Sequence, residues 1–403
     1  MIAAVTTACL VCGTPSGPPA YRFDGPASIT STARPVAVPT VVFVCDVCAH
    51  VQTPPLDDLA RYYDTAYNVR LESENADDLY ALRDGVPVYR TEHQATIALG
   101  ALALAHGAAV LEYGCGKALT LRRMLELRPD LDGAVFDVSD AYRAAWDAFV
   151  APHNQAAHEP PAAWSGRFDA VLSFFALEHA DDPRAFLTTI RRLLRPGGEL
   201  FLTVPNMRRN AGDFIVVDHV NHFMPSSLHR ILTATGFIDI EIDEDAHESA
   251  YAVRARRGVQ PRAHAERAGQ TASDGAPALS DAAESARFAA EARDLATFWS
   301  AAGDAVAAFE RDVARGRKSA IYGSGFYGVF IASRLTDRSN LACFLDRNPH
   351  QQAERPFGRP VLPPDRIEDD VEVLYAGLNP ARARRILAGV PALHRRTRDT
   401  FVL

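Results

Sequence analysis

The stretch Val110-Leu-Glu-Tyr-Gly-Cys-Gly-Lys-Ala-Leu119 decides how this chain is read. Its apolar lead-in, Ala108-Ala-Val-Leu111, predicts a buried parallel strand, and Leu119-Thr-Leu-Arg-Arg-Met-Leu-Glu-Leu127 predicts a helix directly after it. Glu112, Gly114 and Gly116 lie in the turn between them. Strand, glycine turn and helix is a geometry in which bare backbone approaches a ligand at a helix N-terminus. Asp137 stands 21 residues beyond Gly116, at the end of a second apolar run, Ala134-Val-Phe136. A carboxylate there can accept hydrogen bonds from both hydroxyls of a ribose. The pattern is not the dinucleotide fingerprint, because the spacing differs and Ala118 occupies the third glycine position.

At 403 residues the chain is too long for one core and implies two or three domains. A net charge of −8 argues against non-specific nucleic-acid binding. No run approaches the roughly 18 apolar residues that span a bilayer. The opening Met1-Ile-Ala-Ala-Val-Thr-Thr-Ala8 lacks the basic region of a signal peptide. Six cysteines are too few for a disulfide scaffold, so a reducing cytoplasm is the expected compartment.

From 108 to 255 strand and helix patterns alternate, as a doubly wound parallel sheet requires. Phe168-Asp-Ala-Val-Leu-Ser173 is followed by Leu177-Glu-His179, Asp182-Pro183, Leu193-Leu-Arg-Pro-Gly-Gly198 and Val204-Pro-Asn206. With Glu112-Tyr-Gly-Cys-Gly116, this order resembles motifs I and IV to VI of the class I S-adenosylmethionine-dependent methyltransferases. The resemblance implies that the glycine turn meets the methionyl group and Asp137 the ribose. Phe174 and Phe175 would then lie beside the sulfonium, and Glu112, Gly114 and Gly116 complete the expected cofactor contacts.

Four cysteines fall early, as Cys9-Leu-Val-Cys12 and Cys45-Asp-Val-Cys48. Each pair can form a knuckle aiming two thiolates at one ion, and together they predict a closed four-cysteine structural zinc site. His50 is a weaker alternative ligand. The 32 residues between the pairs call for a hairpin with a long loop, and Thr40–Val44 reads as a strand entering the second knuckle. Residues 56 to 105 read as helical, carrying Tyr62, Tyr63, Tyr67, Tyr89, Arg90 and His93. Tyr63 is the expected substrate contact among them, although tyrosines more often anchor an amphipathic helix.

After Pro205-Asn206 the chain concentrates titratable groups: Asp213, then Asp218-His-Val-Asn-His222. His219 is the candidate general base, Asp218 its orienting acid, and His222 a third catalytic candidate. The plainer alternative is that these histidines only bond the loop backbone. Polar residues 256–285 read as a linker, followed by a long amphipathic helix from Ala286 to Arg315. A second Rossmann-like unit begins at Ser319-Ala-Ile-Tyr-Gly-Ser-Gly-Phe-Tyr-Gly328, with Asp346 ending its next strand.

Cysteine knuckles, methyltransferase motifs and a trailing Gly-x-Gly-x-x-Gly unit, in that order, resemble the zinc-containing sugar C-methyltransferases. That family binds a nucleoside-diphosphate keto-sugar between its large domains, removes a proton alpha to the ketone with a Tyr-x-Glu-His histidine, and methylates the enolate. The matching positions here are Val216, Val217, Asp218 and His219, so the Tyr is replaced. The expected architecture is therefore a zinc module (1–56), an α/β doubly wound methyltransferase core (57–255), a linker (256–285) and a small Rossmann-like substrate-binding domain (286–403). Asn206, Tyr322 and Gly323 join Tyr63 as expected substrate contacts. The expected partner is a small molecule such as a nucleotide sugar, with O- or N-methylation of a natural-product or glycan precursor as the alternative.

Overall fold

Short runs of Val, Leu, Phe and Ala, buried on both faces, are what a parallel sheet covered by helices requires. The computed structural model describes residues 7–56, 79–83, 86–259, 279–395 and 397–403. Its central sheet contains β1 (Ala109–Tyr113), β2 (Asp132–Asp137), β3 (Gln155–Ala157), β4 (Phe168–Phe174), β5 (Leu194–Pro205), β6 (Phe237–His247) and β7 (Ala250–Arg257). The order across the sheet is β3-β2-β1-β4-β5-β7-β6. The first five strands are mutually parallel, and β7 runs antiparallel to both β5 and β6. The strand order reverses between β1 and β4, so the loops after these strands diverge and leave a crevice.

Helices α1 (Arg90–Ala101) and α2 (Leu119–Leu127) cover one face of the sheet. The other face is covered by α3 (Pro183–Leu193) and α4 (Pro225–Ala234). Local chemistry starts α3 sharply: Asp182 caps the Ala185 amide at 2.9 Å and Pro183 opens the first turn. Leu187, Ile190 and Leu193 then bury one stripe against the sheet.

The N-terminal module is not a separate bead. Strands Tyr21–Phe23, Thr40–Val44 and Val51–Gln52 form a four-stranded sheet whose last member is Asn221–His222, from the loop after β5. A two-stranded hairpin, Ser28–Ile29 with Pro35–Val36, fills the long gap between the cysteine pairs.

The long helix α5 (Leu279–Phe309) continues as a π-helical turn, Glu310–Ala314. Beyond it lie β8 (Ser319–Tyr322), β9 (Leu341–Leu345), β10 (Val361–Leu362), β11 (Val373–Ala376) and β12 (Asp399–Val402). They form a parallel sheet in the order β10-β9-β8-β11-β12, with α6 (Phe326–Arg334) and α7 (Pro380–Ala388) against it. One apolar cluster runs from Tyr21 and Val42 through Phe214 to Trp299, Phe330 and Phe344, joining all three regions. Trp299 also donates its indole N–H to the Ala211 carbonyl at 2.8 Å. Buried Arg334 lies over the Phe23 ring and donates to the Tyr21 hydroxyl at 2.7 Å.

Several sequence expectations give way. Leu79–Arg83 and Val86–Tyr89 pair as an antiparallel hairpin, so among the described residues of that region helix starts at Arg90. Pro87 between two valines removes a helical donor and favours extended backbone. Residues 57–78, with Tyr62, Tyr63 and Tyr67, lie outside the described residues. After β2, where the alternation calls for a crossover helix, the chain makes only one short helical turn, Arg143–Trp146. Among the described residues, no helix is long and apolar enough to cross a membrane.

Candidate active site

The crevice beside β1 and β4 widens into a cleft of about 1370 Å³, walled by the central sheet loops, the 30–35 turn of the N-terminal module and the start of the C-terminal unit. Its floor is the glycine turn. Gly114 has φ +71°, and a Cβ there would stand 2.7 Å from that of Ala176, so the turn after β1 and the loop after β4 pack backbone to side chain. The Gly116 amide donates to Asp137 at 2.7 Å, and buried Trp146 donates to the Gly116 carbonyl at 2.6 Å. Ala118 takes φ +53° and starts α2, the left-handed position that glycine would occupy without strain.

Asp137 accepts from Gly116 on one oxygen and from the Ser139 amide, at 3.0 Å, on the other. Each carboxylate oxygen keeps a lone pair, and the side chain lines the cleft at 8% exposure. Burial raises its pKa, opposed by those backbone donors. Glu112 spends one oxygen on the Leu121 amide at the start of α2, at 2.8 Å. Burial pushes its pKa up to about 8. Phe174 and Phe175 both line the cleft, and Phe175 carries φ +51°, a strained position for a bulky residue. Ser173 lies fully buried in β4 instead.

The structure adds Val138 and Gln94, which sequence reasoning passed over. Val138, directly after Asp137, is 60% exposed and offers an apolar surface to the cleft. From α1, Arg90 lies over the Phe175 ring, and Gln94 accepts from Thr120 at 2.9 Å. The Gln94 amide nitrogen is buried with no hydrogen-bond partner among the described residues. An orphaned donor on the wall of a cleft is a position a polar ligand group can satisfy. No local sequence pattern marks Gln94, because its role depends on where α1 docks.

Across the cleft, His219 is 7% exposed and donates from Nδ1 to Asp213 at 2.5 Å. Burial opposes its charge, but the Asp213 carboxylate outweighs burial and holds the imidazolium up to about 9. Asp213 is fully buried; the two histidines it bonds outweigh that burial and keep its carboxyl well below the usual range. The acid beside His219 is thus Asp213, from the 3₁₀ turn Ala211–Ile215, and not Asp218. The Asp218 carboxylate is instead held by Ser31, accepting from its amide (2.6 Å) and hydroxyl (2.7 Å). His222 is 1% exposed and does not line the cleft; it bonds Asp213 through Nδ1 at 3.1 Å and Thr53 through Nε2 at 3.1 Å. Its place is behind the site.

Two further groups face His219. The His179 ring lies 4.7 Å from that of His219, edge to face, and its Nδ1 donates to the Asp218 carbonyl at 2.9 Å. Burial pushes His179 down to about 4. Glu178 is 1% exposed, neither of its oxygens has a hydrogen-bond partner among the described residues, and burial pushes it up to about 8.

The expected substrate contacts fare differently. Tyr63 lies outside the described residues. Asn206 is fully buried and closes a turn by accepting from the Arg208 amide at 3.0 Å. Tyr322 packs in the core of the C-terminal sheet, and a Cβ on Gly323 would fall 2.2 Å from the Gly377 carbonyl. Neither residue reaches the cleft; Ser324, Phe326, Gln351 and Arg355 do so from the same unit. Gly323 and Gly328 there serve close strand–helix packing, and Asp346 accepts from the Ser324 amide and hydroxyl at 2.9 and 2.8 Å.

The four cysteine sulfurs form their own cluster, all within 4.8 Å of one another. Cys9 and Cys48 sulfurs are 3.6 Å apart, and those of Cys12 and Cys45 3.5 Å. A tetrahedron of zinc–thiolate bonds has edges of about 3.8 Å, so this donor set fits such an ion. His50 is not part of the cluster; it bonds the Asn221 side chain at 3.2 Å.

Residues 89–242 match a family model described as a methyltransferase domain. Over 131 residues the chain is 32% identical to the ubiquinone biosynthesis O-methyltransferase of Xanthomonas oryzae pv. oryzae, an alignment covering 31% of this chain and 55% of that protein. The chain thus spans about half the length of the curated relatives it matches. Among solved structures, the CurJ carbon methyltransferase is similar at TM-score 0.35 and 17% identity, over 41% of this chain and 54% of that one. Human N-acetylserotonin methyltransferase, solved with SAM, is similar at TM-score 0.34 and 18% identity, over 42% of this chain and 54% of that one. The chain contains a methyltransferase domain, over residues 89–242.

Proposed function

We propose that this chain is an S-adenosylmethionine-dependent methyltransferase acting on a small molecule, by carbon methylation of a nucleotide-linked keto-sugar with His219 as general base. The observation that carries this reading is that His219, braced by Asp213, shares one cleft with the glycine turn, Asp137 and the C-terminal wall. S-adenosylmethionine supplies an electrophilic methyl group on a sulfonium. Gly114, Gly116 and Asp137 would receive its methionyl and ribose parts, with Val138 beneath the base and Phe174 and Phe175 beside the sulfonium. Methyl transfer is an in-line displacement, so these groups act by alignment and exclusion of water.

His219 has its second ring nitrogen free of Asp213, and in the neutral ring that nitrogen takes the proton alpha to the ketone. The C–H electron pair becomes the enolate, whose carbon forms the new C–CH3 bond as the carbon–sulfur bond breaks. The imidazolium then offsets the enolate charge while Asp213 stabilises the imidazolium. Val216 lines the cleft and offers no hydroxyl, so that stabilisation falls on His219 itself. The sulfurs of Cys9, Cys12, Cys45 and Cys48 would hold zinc as a closed structural site, and Ser324, Gln351 and Arg355 would meet the nucleotide end of the substrate. A second reading, O- or N-methylation of a natural-product or glycan precursor, draws on the O-methyltransferase relatives; His219 would then deprotonate a hydroxyl.

The test is His219→Gln assayed for turnover and, by calorimetry, for S-adenosylhomocysteine binding. The proposal expects a rate loss of about 10² to 10⁴ with binding intact. Unchanged turnover would remove His219 from the chemistry.

A further inference from the structure

The base is fixed from outside its own domain. We propose that Thr53 and His222 are positioning residues through which the N-terminal cysteine module sets the orientation and proton affinity of His219. The inference rests on the reading of His219 as base, but its structural content is independent of turnover.

The connection is continuous. Gln52, next to Thr53, accepts from the Leu10 amide at 2.9 Å and donates to the Ala8 carbonyl at 3.0 Å, tying it to the first cysteine knuckle. Gln52 pairs with Asn221 across the sheet, and the Thr53 amide donates to the Val220 carbonyl at 3.0 Å. Val217 donates to the Ile29 carbonyl at 3.0 Å, and Ser31 holds Asp218. Both sides of His219 are therefore clamped by the module.

The hydrogen bonds also select protons. A carboxylate only accepts, so the Nδ1 atoms of both His219 and His222 carry hydrogen toward Asp213. In the neutral ring that leaves Nε2 of His222 to accept the Thr53 hydroxyl proton. The chain reads Thr53 O–H to His222 Nε2, His222 Nδ1–H to Asp213, and His219 Nδ1–H to the other Asp213 oxygen. The result is a His219 whose Nε2 is the basic atom once the ring is neutral. Orienting partners of this kind behind a functional histidine fix its tautomer and tune its basicity. With two donors the Asp213 charge is divided; with one it bears fully on His219.

The groups facing His219 are Asp213, Asp218, Glu178, His179 and His222, and those facing His222 are Asp213, His219 and His50. None of these is altered by Thr53→Val, which removes one hydroxyl from a 4% exposed side chain and keeps its backbone pairing. The experiment compares Thr53→Val, Thr53→Ser and His222→Phe in the full chain. Ring 15N resonances are recorded with S-adenosylhomocysteine bound, and kcat/KM is followed against pH. In the unaltered protein, His222 should show hydrogen on Nδ1 and a hydrogen-bonded lone pair on Nε2. Thr53→Val should shift the Nε2 resonance to that of an unbonded nitrogen, and Thr53→Ser should restore it. The acid limb of kcat/KM should rise by about one pH unit in His222→Phe and by less, in the same direction, in Thr53→Val. A His222 ring protonated at Nε2, or an acid limb unmoved in both variants, would overturn the proposal. An active His219→Gln would instead remove the base reading, leaving the resonances of His222 to decide the relay.

Discussion

Replacing Asp213 by Asn tests the electrostatics of the site most sharply, because it keeps the shape and removes the charge. His219 stands at about 9 against an ordinary 6.5, a difference worth about 3.4 kcal/mol at 1.36 kcal/mol per pH unit. At pH 7 only about 1% of such a histidine is neutral, so base-dependent turnover should climb about tenfold per pH unit until it levels near pH 9. In Asp213→Asn burial is no longer outweighed, and the acid limb of kcat/KM should fall by about 2 pH units or more. The plateau should drop by about 10², because a less basic, less firmly held imidazole is a poorer proton acceptor. Stability moves with it. The raised pKa of His219 means that its share of stability is full below 6.5 and is lost as pH rises through about 9. Asp213, with its pKa depressed, contributes above 3.8 and loses its share as pH falls below that. Denaturant unfolding should therefore show the variant weaker by about 3 kcal/mol near pH 6, the gap closing above pH 9. Initial rates from pH 5.5 to 9.5 with saturating cofactor are the assay. An acid limb that stays in place, or moves up, in Asp213→Asn would refute the reasoning.

Two other outcomes follow from the same geometry. Glu178→Gln should stabilise the protein at alkaline pH: a carboxyl raised from 4.5 to about 8 costs nothing below 4.5 and up to about 5 kcal/mol above 8, so the variant's gain should appear across that interval in pH-dependent unfolding. Cys45→Ser should lower bound zinc, measured by metal analysis, and speed amide hydrogen exchange at Val217 and Thr53, whose bonds join the module to the His219 loop; unchanged exchange would separate the two.

What was legible in the sequence follows from how local each feature is. The turn after β1 and the carboxylate ending β2 are written in consecutive residues, so Gly114, Gly116 and Asp137 could be placed on one edge of a sheet. The cysteine spacing likewise announced its cluster. Asp213 could not be read as the partner of His219, because it approaches from a separate 3₁₀ turn, while the sequence neighbour Asp218 is held by Ser31. Thr53 reaches His222 only because the N-terminal sheet recruits Asn221–His222 as an edge strand, a pairing between segments about 170 residues apart. Tyr322 and Gly323 belong to a real strand–turn–helix, but Gly323 and Gly328 serve strand–helix packing, so the cleft is met beyond them in the turn, at Ser324 and Phe326, and at Arg355. The hairpin at 79–89 was missed for a simpler reason: flanking helical composition outweighed the Val-Pro-Val alternation at 86–88.

The central claim is that this cleft joins a sulfonium methyl to carbon. The measurement is the NMR spectrum of the product formed from S-adenosylmethionine labelled with 13C in its methyl group and a nucleoside-diphosphate keto-sugar, with His219→Gln as control. The account predicts a methyl signal coupled to a ring carbon alpha to the ketone, absent with the variant. A methyl on oxygen or nitrogen, or equal product from His219→Gln, would contradict it.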